Sequence, residues 1–159
     1  MSLRQTDRGD KMRQVQIKDI VKAVGGKLVW GDENATVTNV STDSREVKTG
    51  TLFVPIIGER VDAHRFIPDV MTKGALATLS ERELPEADYA YIQVDASLQA
   101  VKDIAEFYLE QLQIPVVGIT GSVGKTSTKE VIASVLKEKY RTLKTQGNFN
   151  NELGLPLTV

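Results

Sequence analysis

The stretch VVGITGSVGKTSTKEVIASVLKEK, residues 116–139, decides the fold class of this 159-residue chain. Residues 116–120 form a short apolar run of the kind that builds a buried strand in a parallel sheet. A loop with glycines follows at 121–124, and the apolar spacing then predicts a helix over about 125–139. With a further strand expected at 141–144, the segment has the order of an opening β-loop-α-β unit in a nucleotide-binding sheet.

The sharpest chemical signal lies in the loop and the first helical turn of that unit. Glycines let the backbone turn tightly enough to direct N–H groups at an anion, and the helix N-terminus adds partial positive charge. We therefore expect a phosphate-binding loop made of Gly121, Ser122, Val123, Gly124, Lys125, Thr126 and Ser127. The Lys125 ammonium is expected against the β- and γ-phosphates as the catalytic group, and the Thr126 hydroxyl as a ligand of Mg²⁺.

The glycine spacing departs from the usual phosphate-loop pattern GxxxxGK[ST], because residue 119 is Ile rather than Gly. One alternative is therefore a glycine-rich turn with a solvated lysine. Another is a different phosphate-loop enzyme, such as a kinase or GTPase. The missing first glycine, and the absence of a guanine-reading Asn-Lys-x-Asp sequence from this chain, count against that alternative.

The composition excludes several classes of protein. Hydrophobic residues make up 41% and charged residues 26% of the chain, which is typical of a globular protein rather than a disordered or membrane one. The 20 Lys and Arg residues balance 21 Asp and Glu residues, so nothing favours a nucleic-acid partner. With no cysteine and one histidine, thiol catalysis, disulfides and multi-histidine metal centres are excluded. No signal sequence or membrane-spanning stretch is present, so we expect a cytoplasmic protein without a membrane partner.

Before residue 113, strands and helices alternate as in a small α/β domain. Helices are predicted at 17–24, which Gly25 and Gly26 end, at 66–73, which Gly74 ends, and at 97–112, where Ser97 is the expected N-cap. Strands are predicted at 28–30, 36–40, 52–57, 75–79 and 89–94. The aromatic residues in these elements are expected to pack in the core rather than to stack on a ligand: Trp30, Phe53, Phe66, Phe107 and the tyrosines.

The pair Ile114-Pro115 marks the expected domain boundary. Residues 1–14 are expected to be a disordered extension or an expression remnant, and residues 15–113 a complete domain. Residues 114–159 would then begin a second domain. A parallel sheet needs several β-α units, and about 45 residues supply about one and a half, so we expect this domain to be truncated.

Taken together, these segments resemble the Mur ligase family. Residues 116–136, followed by LKTQGNFNNELGLPLT at 143–158, resemble the start of its central ATP-binding domain. Three further segments resemble the N-terminal domain of the family: STDSR at 41–45, GTLFV at 50–54 and GERVDAHRF at 58–66. One departure is Ala63, where the family usually has glycine between Asp and His, and this allows a different turn there. Within the family, residues 145–156 favour the type that adds D-alanyl-D-alanine.

The resemblance implies an ATP-dependent amide ligase of peptidoglycan precursor synthesis, with ATP and Mg²⁺ as cofactors. It would join D-Ala-D-Ala to UDP-MurNAc-tripeptide through an acyl phosphate, although the 159-residue chain alone is expected to be inactive. Two alternatives remain open. The chain could be a stand-alone UDP-sugar-binding module with a vestigial phosphate loop, or a related ligase that adds a diamino acid.

The resemblance also implies a set of substrate-binding residues. Near the uridine and diphosphate of the nucleotide-sugar it places Thr42, Asp43, Ser44, Arg45 and His64. The alternatives there are a locally hydrogen-bonded turn and a solvated histidine. Asn150 and Asn151, with Asn148, are expected to hold the peptide part or the phosphates, the alternative being a loop that caps a helix. Glu152 is not assigned to Mg²⁺, because the metal-binding glutamate of the family is expected farther along the sequence.

Overall fold

The computed structural model describes residues 15–59, 61–84, 88–145 and 153–158. The chain divides into two compact units, Met1–Ile104 and Ala105–Val159. Across these described ranges, no helix combines the length and the apolar character needed to cross a bilayer.

The first unit alternates short strands with helices. In chain order its described elements are β1 (Val15–Gln16), α1 (Ile17–Ala23), β2 (Lys27–Trp30), β3 (Thr36–Val37), β4 (Asn39–Ser41), β5 (Thr51–Phe53), a 3-10 helix (Ala63–Phe66), α2 (Ile67–Thr72), β6 (Ala77–Ser80), β7 (Tyr91–Gln93) and the start of α3 (Ser97–Leu112). The predicted helices all form, but the prediction that Ser97 is the N-cap of α3 is wrong, because Ser97 is the first residue of the helix and its buried Oγ has no hydrogen-bond partner among the described residues.

Five of these strands form one sheet in the order β2-β7-β6-β5-β4. Strands β4 to β7 are parallel, with Val40 opposite Leu52 and Leu79 opposite Ile92, whereas β2 runs antiparallel to β7. The predicted α/β class is therefore confirmed. Because the four parallel strands point the same way, the loops that follow them emerge at one edge of the sheet, which we call the carboxyl edge.

Local sequence explains where the helices begin and end. At the start of α1, the side chain of Gln16 and that of Asp19 form a capping box, in which Asp19 accepts a hydrogen bond from the Gln16 N–H at 3.0 Å. Pro68 lies in the first turn of α2, where its missing N–H costs nothing. The chain leaves α2 through Gly74, whose φ of +97° is unfavourable for other residues.

Apolar residues from both strands and helices fill the core of the first unit. Strands β5 and β6 are buried along their whole length, as expected for central strands of a parallel sheet. The largest fully buried apolar side chains are Phe53, Ile17, Ile20, Leu52, Ile67, Leu79 and Ile92. Full burial of each is worth about 1.5–3 kcal/mol, and this packing fixes the strands whose ends form the carboxyl edge.

Three details of the first unit differ from the sequence prediction. The strand expected at 36–40 is two strands in different sheets, because β3 pairs with β1 and β4 pairs with β5. The strand expected at 52–57 covers only Thr51–Phe53. The prediction that Trp30 packs in the core is wrong, since Trp30 is 54% exposed on the edge strand β2. In the second unit the same prediction is wrong for Tyr140, which is 58% exposed.

The second unit contains α4 (Lys125–Lys137) and a 3-10 helix (Pro156–Thr158). The strands predicted at 116–120 and 141–144 are wrong, because neither segment is a strand in the structure. Val116 is 65% and Leu143 72% exposed. A strand needs a hydrogen-bonded neighbour, and the described part of this unit, 105–145 and 153–158, offers none. The predicted helix does form, ending two residues earlier than expected.

Candidate functional site

The loop before α4 is shaped by two glycines with positive φ. Gly124 is the N-cap of α4 with φ +81°, and Gly121 has φ +143°. The helix begins at this turn, since the Thr128 N–H donates to the Gly124 carbonyl oxygen at 2.9 Å. Because L-residues with side chains rarely adopt such angles, glycine is needed at both positions to build the turn.

The same loop is open to solvent. A Cβ atom added at Gly118 or Gly124 would meet no other heavy atom within 4 Å, and Val123 is 90% exposed. The first N–H groups of α4 have no partner within the helix, and they carry the positive end of its dipole. The arrangement is therefore suited to bind a phosphate group at the start of the helix.

The side chain of Lys125 folds back, so that its ammonium group contacts this loop. Its side chain is half-buried, and Nζ donates a hydrogen bond to the carbonyl oxygen of Gly121. The following hydroxyl residues, Thr126 and Ser127, are exposed in the first turn. One cation, three hydroxyls (those of Ser122, Thr126 and Ser127) and the backbone N–H groups of the turn thus occupy one short segment, in the order that the sequence predicted.

The residues of this segment fit a magnesium ion that arrives with phosphates. Within the described part of the chain, no group of three or more His, Cys, Asp or Glu residues could hold a metal ion. Magnesium, however, usually keeps several waters and takes most of its other ligands from substrate phosphates. A single exposed hydroxyl oxygen, that of Thr126, is therefore chemically sufficient as the protein ligand from this segment.

At the carboxyl edge of the first unit, the residues after β4 form a tight turn. The buried Ser41 Oγ accepts a hydrogen bond from the Asp43 N–H at 3.1 Å and lies 3.2 Å from the Asp43 carbonyl oxygen, to which it donates. Thr42 and Ser44 are half-buried, and Lys73 Nζ donates to the Ser44 carbonyl oxygen at 3.4 Å. The predicted residues 42–45 therefore come together as one hydrogen-bonded turn.

Arg45 folds back onto Asp43 within this turn. Its Nε lies 2.9 Å and 3.1 Å from the two Asp43 carboxylate oxygens, and its backbone N–H donates to Asp43 Oδ1 at 2.9 Å. These hydrogen bonds lower the pKa of Asp43 from 3.8 to about 2, and they raise the pKa of Arg45. The Arg45 side chain remains 86% exposed, so the turn presents a cation to solvent.

His64 follows β5 and is buried, with 7% of its surface exposed. Its Nδ1 lies 2.7 Å from Asp62 Oδ1, and its Nε2 accepts a hydrogen bond from the Glu81 N–H at 3.2 Å. Because Nε2 accepts, the ring is neutral and carries its proton on Nδ1. Both ring nitrogens are therefore bonded within the chain, and the diphosphate contact of His64 stays a prediction.

Sequence reasoning missed three charged residues of the carboxyl edge: Asp62, Glu81 and Arg82. Arg82 Nη2 lies 2.5 Å from Asp62 Oδ2. Hydrogen bonds from the backbone N–H and ring of His64, followed by that of Arg82, lower the pKa of Asp62. A usable signal was present, because Glu81 and Arg82 lie two and three residues after the strand predicted at 75–79, where α/β proteins place their ligand-binding loops.

The asparagines predicted to bind substrate, Asn148, Asn150 and Asn151, lie outside the described residues. The segment that leads to them is attached to α4. Lys129 Nζ donates to the Thr145 carbonyl oxygen at 2.8 Å, and Lys144 forms an ion pair with Glu130. This ion pair lowers the pKa of Glu130.

Comparison with protein families gives two matches along the chain. Residues 36–109 match the Mur ligase family, catalytic domain, and residues 119–159 match the Mur ligase middle domain. The second match contains the glycine loop and α4. The first contains the turn after β4, the loop with His64 and the end of β6.

Named relatives match most of the chain. It is 43% identical over 146 residues to the UDP-N-acetylmuramoyl-tripeptide–D-alanyl-D-alanine ligase of Bacillus subtilis, covering 90% of this chain and 32% of that protein. The enzyme of the same name from Escherichia coli is 37% identical over 148 residues, covering 93% of this chain and 32% of that protein. The chain thus spans about a third of the length of these curated relatives.

Solved structures are similar as well. A crystal structure of MurF from Acinetobacter baumannii has a TM-score of 0.84 and 33% identity, covering 93% of this chain and 33% of that one. The MurF ligase of Thermotoga maritima, solved in complex with ADP, has a TM-score of 0.70 and 39% identity, covering 76% of this chain and 28% of that one.

Proposed function

Because this chain belongs to the Mur ligase family, we propose that its glycine loop binds ATP for an amide ligase of peptidoglycan precursor synthesis. The observation that carries the proposal is the exposed turn at Gly121 and Gly124, with the Lys125 ammonium folded onto it at the start of α4. A nucleoside phosphate is the ligand class that such a helix start favours.

The substrates follow from the relatives, whose names give a UDP-N-acetylmuramoyl-tripeptide and D-alanyl-D-alanine. We place the nucleotide-sugar at the carboxyl edge of the first unit, with contacts from Thr42, Asp43, Ser44, Arg45 and His64. Asn150 and Asn151 would hold its peptide or the phosphates. In this proposal residues 15–113 form the nucleotide-sugar domain, residues 114–159 begin the ATP-binding domain, and the reaction takes place in the cytoplasm.

The chemistry has two steps. The terminal carboxylate of the tripeptide attacks the γ-phosphorus of ATP, the bond from that phosphorus to the bridging oxygen breaks, and ADP leaves. The amine of D-Ala-D-Ala then attacks the acyl carbon, inorganic phosphate leaves with the bonding electrons, and the amine loses a proton.

The residues of the glycine loop serve the first of these steps. Lys125 and the N–H groups of the first turn stabilise charge on the phosphate oxygens, because transfer of a phosphoryl group depends mainly on positioning and charge neutralisation. Magnesium, held in part by the Thr126 hydroxyl, would neutralise the phosphate charge further. The two-step route then yields one amide bond for each ATP hydrolysed.

A ligation assay with the protein that the complete gene encodes tests this proposal. Phosphate release should require ATP, UDP-MurNAc-tripeptide and D-Ala-D-Ala together. Release with a diamino acid and UDP-MurNAc-dipeptide in their place would support the other ligase type. Binding of the nucleotide-sugar without binding of ATP, measured by calorimetry on the same protein, would support a nucleotide-sugar-binding module and contradict the proposed ligase.

A further inference from the structure

Resting on the proposed nucleotide-sugar site, we propose that Arg82 contacts the diphosphate of that substrate, and that Asp62 and His64 are positioning residues for its guanidinium. None of the contacts that lead to this assignment involves the turn at 42–45. Arg82 is therefore a second cationic group at the carboxyl edge, in addition to Arg45.

The backbone of Arg82 is fixed at the end of β6. This strand lies inside the sheet, between β7 and β5. The fully buried Ser80 Oγ accepts from the Arg82 N–H at 3.1 Å and lies 2.6 Å from the Arg82 carbonyl oxygen, to which it donates. The Arg82 side chain therefore starts from a defined position at the carboxyl edge.

The two oxygens of the Asp62 carboxylate have separate partners. Oδ1 accepts from the His64 backbone N–H at 3.0 Å and from the His64 ring at 2.7 Å, whereas Oδ2 accepts from Arg82. The buried His64 thereby orients the carboxylate, and the carboxylate orients the guanidinium. Such a chain of hydrogen bonds is the usual way in which a binding side chain is held in place.

His64 also makes a hydrogen bond to the backbone next to Arg82. Its Nε2 accepts from the N–H of Glu81, the residue directly before Arg82. The Glu81 carboxylate in turn accepts from the Ser97 N–H at 2.7 Å, at the start of α3. The loop after β5, the end of β6 and the first turn of α3 are therefore joined by one set of hydrogen bonds.

Arg82 remains available to a ligand. Its side chain is 59% exposed, and the bond to Asp62 uses one terminal nitrogen of a group with five N–H donors. A guanidinium can bind a phosphate through two parallel hydrogen bonds, which makes the diphosphate the part of the nucleotide-sugar that it suits. Among the described residues, by contrast, the Arg45 guanidinium is hydrogen-bonded only to Asp43, two residues away in its own turn.

Binding of UDP and of uridine to the 159-residue chain, measured by NMR titration, tests the contact. The variant Arg82→Gln should bind UDP about tenfold more weakly or worse, the effect of losing a charged hydrogen bond, and uridine as well as the wild type does. Arg65→Gln is the matched control. Arg65 lies in the same part of the chain but stacks on Phe66, with its guanidinium carbon 4.8 Å from the ring centre, so its loss should leave UDP binding unchanged.

The positioning roles are tested by double variants. Asp62→Asn should weaken UDP binding in the wild-type background, but it should have no further effect once Arg82 is glutamine. His64→Gln should weaken binding more in the wild-type background than in the Arg82→Gln background, where only the proposed direct contact of His64 with the diphosphate is left to lose. A purely structural role would weaken binding equally in both backgrounds, and it would weaken uridine as well. Asp62→Asn keeps the shape of the side chain, so the test stands even if His64→Gln unfolds the chain.

The outcomes separate this inference from the function on which it rests. The assignment of Arg82 is overturned if the wild-type chain binds UDP and the Arg82→Gln variant binds it equally well. It is also overturned if the affinities of that variant for UDP and for uridine fall to the same extent. If the wild-type chain binds neither UDP nor UDP-MurNAc-tripeptide, the proposed nucleotide-sugar site itself fails.

Discussion

The glycine loop before α4 and the carboxyl edge of the first unit place polar groups in opposite ways. The loop uses contacts within a few residues, such as Lys125 Nζ on the Gly121 carbonyl oxygen, and it is exposed. Besides the local turn at 42–45, the carboxyl edge uses hydrogen bonds between residues 17 and 20 positions apart in sequence, from Glu81 to the buried His64 and from Arg82 to Asp62. The first region therefore depends on local backbone conformation, and the second on the packing of a sheet.

This difference predicts how each region responds to mutation. Changes in the core should damage the carboxyl edge through stability, whereas changes in the glycine loop should damage ligand binding with little loss of stability. Single substitutions in each region therefore test whether the two regions respond differently.

The largest effect is expected from Phe53→Ala, which removes a fully buried ring from the end of β5. The free energy of unfolding should fall by about 3–5 kcal/mol, and UDP binding should be lost with it. Chemical denaturation followed by circular dichroism measures the change. The exposed Val135 of α4 gives the control, since Val135→Ala should change the free energy of unfolding by less than about 0.5 kcal/mol. Equal losses in the two variants would contradict the contrast.

The second largest effect is expected from Lys125→Ala, which should lower the enzymatic activity without lowering the stability. In the protein encoded by the complete gene we expect the rate of ATP-dependent phosphate release to fall about a hundredfold or more, the usual cost of losing one charge-stabilising group. The melting temperature should stay the same, because Lys125 is only half-buried. Lys137→Ala, which removes an exposed cation from the last turn of the same helix, should retain full activity. A normal rate of phosphate release in the Lys125→Ala variant would contradict a catalytic role for the glycine loop.

Gly124→Ala should have a smaller effect, but it should lower both stability and the affinity for ATP. A side chain at φ +81° costs about 1–2 kcal/mol, so α4 should start less firmly and ATP should bind more weakly. Gly118→Ala is the matched control, because Gly118 has no positive φ and a Cβ atom there meets no other heavy atom within 4 Å. Calorimetric titration with Mg-ATP compares the two. If they bind ATP equally, the turn at Gly124 is not what the ligand requires.

The same contrast explains which parts of the structure could be predicted from sequence. The loop at 121–127 and α4 were predictable, since glycine, lysine and helix spacing act over a few residues. The strands expected at 116–120 and 141–144 were wrong, because a strand depends on a partner that local sequence does not specify. Likewise His64 was predicted as a site residue, but its partners Asp62 and Glu81 were not. Their meeting depends on the parallel pairing of β5 and β6, which brings two distant loops to one edge.

The smallest effect concerns the ion pair in the turn after β4. The pKa of Asp43 is about 2 in the folded chain, below its ordinary value of 3.8, because Arg45 donates hydrogen bonds to the charged carboxylate. The folded state therefore holds that proton less tightly than the unfolded state. The stability that the pair contributes is complete above pH 3.8 and is lost as the pH falls through about 2.

An NMR titration that follows the Asp43 carboxyl carbon should give a midpoint near pH 2, and Arg45→Gln should move it toward 3.8. Since the pair is local and exposed, that variant should leave the Asp62 titration unchanged, whereas His64→Gln should raise the Asp62 midpoint and leave Asp43 alone. A common shift of both carboxylates in either variant would mean that the two ion pairs of the carboxyl edge are coupled. The turn with Asp43 and Arg45 and the hydrogen-bonded group of Asp62, His64 and Arg82 would then titrate as one electrostatic unit.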